Sequence, residues 1–168
     1  DMMNRRQLLQ WGGCTALPVA ASTVPLSVWS RDKSASASAL PAPASLQEAL
    51  AGAISQNNPL IVMVSLDGCP FCKTARQSYL LPMLNEDKLP IVQVDMRSSR
   101  AVMDFQGNAT THDEMVRSWK VRIAPTLLFV GAGGRELAPR LVGASLPDFY
   151  GAYLDQRLTT ARQALKSS

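Results

Sequence analysis

The sequence predicts an α/β domain: a single mixed β-sheet flanked by helices on both faces. Two observations carry this. Short apolar runs rich in β-branched residues alternate with segments of helical periodicity, and a glycine-rich turn of hairpin length joins the last two runs before a final helix. Alternation calls for parallel neighbours, and a hairpin calls for an antiparallel pair.

The elements follow in order. Leu40-Pro41-Ala42-Pro43-Ala44 reads as an extended linker, because a residue before proline is biased away from helix. Ser45 and Glu48 fit a capping box, and Leu46, Leu50 and Ile54 then recur on one helical face until Asn57-Asn58-Pro59. The run 60–66, Leu-Ile-Val-Met-Val-Ser-Leu, is almost continuously apolar, as in a strand covered on both faces. Pro70 opens a helix expected to reach about Leu81, where Pro82 should kink or end it. Residues 90–95 form the next strand, and the polar stretch 97–110 carries no clear pattern. Thr111 and Glu114 offer a second capping box ahead of Met115, Val116 and Trp119. Residues 126–130 are a third strand, Gly131-Ala132-Gly133-Gly134 a hairpin turn, and 135–142 a fourth strand. Ser145 starts a last helix running near Arg162.

With 168 residues and 46% apolar content, one core is expected in addition to a leader. From Leu40 onward the chain has 13 Lys plus Arg against 11 Asp plus Glu, about +2, with no basic stripe or acidic tail. Nothing in that balance points to nucleic acid or a membrane surface as partner.

Residues 1–39 read as an address. Arg5-Arg6 precedes a weakly apolar stretch, 8–29, broken by Gly12, Gly13, Pro18 and Pro25, and Ser34-Ala35-Ser36-Ala37-Ser38-Ala39 supplies an A-x-A cleavage site after Ala37 or Ala39. The arginine pair with Gln7-Leu8-Leu9 resembles a twin-arginine export signal, which implies a periplasmic protein. An uncleaved anchor helix would have to tolerate two prolines and two glycines. A lipoprotein would use Cys14, but Gln10-Trp11-Gly12-Gly13 lacks the aliphatic residue usual before such a cysteine.

The chemistry lies in Cys69-Pro70-Phe71-Cys72. Unpaired N–H groups at a helix N-terminus favour a nearby anion, which suits Cys69 as nucleophile. Cys72, one turn inward, is placed to resolve a mixed disulfide, so the pair would cycle between dithiol and disulfide. A strand ending at Asp67-Gly68 just before the pair is the setting in which such a motif signals redox chemistry.

These residues resemble the thioredoxin superfamily. The matching features are the apolar strand before the motif, Lys73 after it, Val94-Asp95 closing the next strand, and Ala124-Pro125-Thr126 ahead of a strand and glycine turn. The resemblance covers roughly 45–158 and implies a thioredoxin fold in 45–168. It also implies a cis bond at Pro125 and a substrate-docking surface that includes Pro70, Phe71, Ala124 and Pro125. The export signal and the length between Asp95 and Trp119 look like the SoxW and SoxS type of periplasmic thioredoxin, linked to sulfur oxidation and cytochrome maturation. The implied activity is reduction of disulfides in exported partner proteins, with no cofactor and with a membrane electron donor of the DsbD or CcdA kind. One departure stands out: Met63 occupies the position where many family members have a buried acid that serves the resolving thiol.

Other readings of the pair are a structural disulfide, an oxidase or isomerase, and a redox-inert binding or metal-carrier module. A disulfide across three residues closes too small a loop to restrain the unfolded chain much. A zinc site needs about four ligands, and after the leader only Cys69, Cys72 and His112 are Cys or His. His112 is expected at a solvent-facing helix cap. Trp119, Phe129, Phe149, Tyr150 and Tyr153 have the spacing of core residues, whereas Phe71, held between the cysteines, is expected at the surface to meet a partner.

Overall fold

The structure, a computed structural model of the chain, describes residues 37–144 and 147–167. Residues 1–36 of the segment expected as an export signal, with Cys14, and the expected Ser145 helix start lie outside the described residues. The elements are α1 (Leu46–Ser55), β1 (Leu60–Ser65), α2 (Pro70–Ala75), α3 (Leu81–Asn85), β2 (Ile91–Asp95), β3 (Ala101–Met103), β4 (Ala109–Thr111), α4 (His112–Ser118), β5 (Thr126–Val130), β6 (Leu141–Val142) and α5 (Pro147–Lys166). The main sheet runs β2-β1-β5-β6, with β1 parallel to β2 and the other two pairs antiparallel.

β1 is buried along its whole length because both of its faces are packed. Ile61 and Met63 share one cluster with Leu80, Tyr150, Leu154 and Cys72, whereas Leu60, Val62 and Val64 share the other with Leu46, Leu50, Met115 and Val116. The period of two thus sends alternate residues to two helical layers, which is why the run reads as continuous rather than alternating. α1 and α4 cover one face; the helices after the cysteine motif and α5 cover the other.

Both N-terminal caps form. Ser45 Oγ accepts the Glu48 N–H at 3.1 Å, and at α4 Thr111 and Glu114 close a reciprocal capping box.

Several expectations are corrected. Of the kink or end expected at Pro82, the end does not occur: a π-helical turn, Arg76–Leu80, precedes it, and the helix continues as α3 to Asn85. The Leu81 N–H reaches back five residues to the Arg76 carbonyl, and this widened turn accommodates the ring that would clash in a regular α-helix. The unpatterned stretch holds a two-stranded ribbon, β3 with β4, apart from the main sheet. The fourth strand is shorter than 135–142. Glu136 bridges Val130, the chain then leaves the ladder around Pro139, which has no N–H to give, and pairing resumes only at Leu141 and Val142. α5 runs past Arg162 to Lys166, and its inward stripe is Tyr150, Leu154, Leu158 and Ala161. Phe149 and Tyr153, expected in the core, are four apart on another face and exposed.

The stretch expected as a linker is docked. Leu40 is buried in the cluster that contains Cys72, the Gln93 N–H donates to the Pro41 carbonyl at 2.8 Å, and the Met103 N–H donates to the Ala44 carbonyl at 2.8 Å. Ala37 both donates to and accepts from the Asn85 side chain.

His112 is fully buried rather than solvent-facing. Its Nδ1 accepts the Asp95 N–H at 3.1 Å, so the neutral ring carries its proton on Nε2, which has no partner among the described residues. Burial, with a smaller contribution from Arg100, pushes the His112 pKa down; the Asp95 carboxylate pulls it up by less. The unfolded chain therefore takes up this proton more readily than the folded one.

Two stability measurements check these points. Leu40→Ala should lower the unfolding free energy by about 2 kcal/mol in urea titration, the low end for a truncated core aliphatic, where a solvated linker would give almost nothing. Stability linked to His112 is complete above its ordinary pKa of 6.5 and is lost as pH falls through the lower folded value. The urea midpoint should thus drop as pH falls below about 6.5, and His112→Gln should flatten that drop.

Candidate active site

β1, an inner strand of the sheet, ends at Ser65 and hands the chain to the cysteine turn. Gly68 turns it with a φ of +70°, a left-handed conformation that other residues adopt at a cost, and the Cys69 N–H closes the turn on the Leu66 carbonyl at 3.2 Å. Cys69 is the N-cap of α2, its Sγ accepting the Cys72 N–H at 3.1 Å, and Pro70 occupies the first turn, where its missing N–H leaves no bond unmade.

The two thiols are free and differ in access: Cys69 is half-buried, whereas Cys72 is 1% exposed. Burial, together with the Cys69 sulfur beside it, pushes the Cys72 thiol up from its ordinary pKa. Tyr150 is buried on the same side, its phenol held above the ordinary range chiefly by burial, and its hydroxyl has no partner among the described residues.

The remaining site residues named from sequence converge here. The Ala124–Pro125 bond is cis, and Cys69 Sγ lies 3.8 Å from the Ala124 carbonyl, to which it donates. Pro125 is buried, with its own carbonyl taken by the Gly143 N–H at 2.7 Å. Phe71 is 58% exposed beside the pair, and Ile123, which the sequence did not single out, is 55% exposed next to Ala124. Asp67 is an exposed loop residue.

Sequence reasoning missed a part-buried polar chain along the cleft beside Cys69. Arg76 Nη2 donates to Ser65 Oγ at 2.9 Å and Arg76 Nε to Gln93 Oε1 at 2.8 Å, and Gln93 Nε2 donates to Asp95 Oδ1 at 2.7 Å. A signal was present: Ser65 is the polar residue interrupting an apolar strand, and Arg76 follows Cys72 by one helical turn. An open cleft of about 1140 Å³ lies beside Cys69, bordered by Lys73, Arg76, Asp95 and Arg97, with residues 38–40 along one side. No group of three or more His, Cys, Asp or Glu among the described residues is arranged to hold a metal ion.

The difference in access predicts a clean chemical asymmetry. Under native conditions a brief iodoacetamide pulse on the reduced protein should label Cys69 and spare Cys72, and both should react after denaturation, as read by peptide mass spectrometry.

Three solved structures illustrate the likeness. The DsbH oxidoreductase is 22% identical with a TM-score of 0.47, covering 76% of this chain and 88% of its own. A thioredoxin h from poplar is 20% identical with a TM-score of 0.44, covering 65% and 85%. The periplasmic thioredoxin SoxS from Paracoccus pantotrophus, in its reduced form, is 20% identical with a TM-score of 0.39, covering 61% and 97%. No curated protein matches the chain in sequence. A family profile, the thioredoxin-like domain, matches residues 46–158, from the first helix of the fold well into the last and across the whole cysteine site. On that match, the chain belongs to the thioredoxin-like domain family.

Proposed function

We propose that the chain is an exported, periplasmic thiol:disulfide oxidoreductase that reduces disulfides in partner proteins. The carrying observation is the unequal pair: an accessible Cys69 sulfur at a helix start beside a cis-proline loop, backed by a buried Cys72. Cys69 attacks the partner disulfide, one partner sulfur departs as a thiol, and a Cys69–partner disulfide forms. Cys72 then attacks the Cys69 sulfur, which releases the second partner thiol and leaves the Cys69–Cys72 disulfide. Two electrons have passed to the partner, and a membrane dithiol donor of the DsbD or CcdA kind returns them.

Phe71, Pro70, Ala124 and Pro125 form the docking surface in this reading, the exposed Phe71 ring giving a partner apolar area to cover. The reductive direction is what the resemblance of the motif and its setting implies; burial keeps the Cys72 thiol protonated in the reduced pair. The periplasmic assignment rests on the twin-arginine-like segment at 1–39. No described helix is long and apolar enough to cross a membrane.

Cys72→Ser should arrest the cycle at its midpoint. Incubated with a periplasmic extract, it should hold partner proteins as dithiothreitol-sensitive covalent adducts on non-reducing gels, and Cys69→Ser should hold none. Failure of Cys72→Ser to capture anything from an extract in which wild type is active would defeat the mechanism.

A further inference from the structure

The positive charge of the domain gathers around the exchange site. Two concavities open there: the cleft beside Cys69, which Lys73, Arg76 and Arg97 border, and a smaller one of about 170 Å³ at Ile123, bordered by Lys120, Arg122 and Arg140. Ile123 precedes Ala124, whose carbonyl lies 3.8 Å from Cys69 Sγ, so a single contact ties the two together. The six cations come from α2, its π-helical turn, the loops after β2 and α4, and the approach to β6, and no run in the sequence marks them. They are six of the 13 Lys and Arg from Leu40 onward, whereas the acids at the same places, Asp67, Asp95 and Glu136, are three of 11. Setting them aside leaves seven cations against eight acids, so this face carries all of the net positive charge. Two of its acids are already engaged: Asp95 Oδ1 accepts from the Gln93 amide, and Glu136 pairs with Arg140. Lys73, Arg97, Lys120 and Arg122 are exposed and have no acid within ion-pair distance among the described residues.

We propose that this face selects acidic partners: the disulfide it takes lies in a polypeptide segment whose flanking Asp or Glu side chains meet Lys73 and Arg97 at the cleft and Lys120 and Arg122 at the Ile123 pocket. The proposal rests on the exchange reading above and names the substrate class that reading leaves open. A polypeptide fits better than a small anionic disulfide, because the cations border two separate cavities and a compact anion would reach only one set. Phe71, Ile123 and Val142 are exposed at the same surface, which suits a protein segment with apolar residues beside its cysteine. Exposed ion pairs add little to affinity one by one. Their sum steers encounter instead, so the selection appears in the association rate and weakens with salt. Arg97 and Arg122 can also grip a carboxylate through two parallel N–H bonds, which fixes the segment's register. A basic partner would find only the exposed Asp67 in its favour.

The test uses the full chain, reduced beforehand, and three synthetic disulfide-bridged peptides that differ only in the residues flanking the cystine: Glu, Gln or Lys. Closing of the Cys69–Cys72 pair is followed by quenched alkylation and peptide mass spectrometry, which gives a second-order rate constant for each peptide. The Glu peptide should react about tenfold faster than the Gln peptide, and the Lys peptide more slowly than either. That advantage should collapse between about 0.01 M and about 1 M salt, as the screening length falls from about 30 Å to about 3 Å. Lys73→Gln combined with Arg97→Gln, and Lys120→Gln combined with Arg122→Gln, should each cut the Glu-to-Gln ratio severalfold. Taking the ratio on one protein cancels any change in the reactivity of Cys69 itself. Equal rates on the three peptides, or a ratio that both variants leave unchanged, overturn the acidic-partner assignment and leave the exchange reading standing. Equal rates together with retention of the protein on phosphatidylglycerol vesicles would give the cations to a lipid surface instead. A reduced protein that reacts with none of the three peptides overturns the exchange reading itself.

Discussion

The chemistry of this domain depends on β1 being covered on both faces. A strand buried from Leu60 to Ser65 cannot slip by one residue without exchanging its two apolar sets, so the point at which it ends is fixed. Two residues of turn and a left-handed glycine then place Cys69 just beyond the end of this inner strand and turn Cys72 back into the core. The difference in access between the sulfurs is thus a consequence of register. The cis-proline loop enters through the same sheet, because β5 pairs with β1 in a fixed ladder and carries Ala124 and Pro125 at its start.

Burial also sets the electrostatic problem. A thiol deep in an apolar cluster is reluctant to ionise, and Met63 stands in that cluster at the position where the family resemblance implies an acid. A part-buried set of polar groups gathers at the end of the strand: Ser65, then Arg76, Gln93 and Asp95, with His112 behind, accepting from the Asp95 backbone. Such a network is useful when its members are satisfied. Here most of them are, the His112 Nε2 being an exception among the described residues. The same chain borders the cleft beside Cys69, linking the interior to the exposed side of the pair.

What could be read from sequence was what depends on local pattern. The three long strands, both N-terminal caps and the cysteine turn follow from period, capping residues and glycine placement. Pro125 was legible only by family resemblance, since nothing local marks one X-Pro bond as cis. The misreadings came from tertiary context. Pro82 looks like a stop until a π-helical turn makes room for its ring. Residues 40–44 look like a linker because two prolines hide a backbone that docks on β2. His112 looks exposed because a helix start usually is, yet α4 begins against the end of β2 and takes the ring inward. Phe149 and Tyr153 share helical spacing, but on an exposed face of α5. The Ser65–Arg76–Gln93 chain joins residues from β1, the helix after the motif and β2, and no spacing rule connects them.

The central claim is that accessible Cys69 and buried Cys72 form an exchanging pair that donates electrons to partner disulfides. The reduction potential of the Cys69/Cys72 couple, measured by equilibration with a dithiol of known potential, tests it most directly. A value near that of thioredoxin, about −270 mV, is the predicted result. A value near −120 mV, that of a strong oxidant, or a pair that never closes to a disulfide, would contradict it.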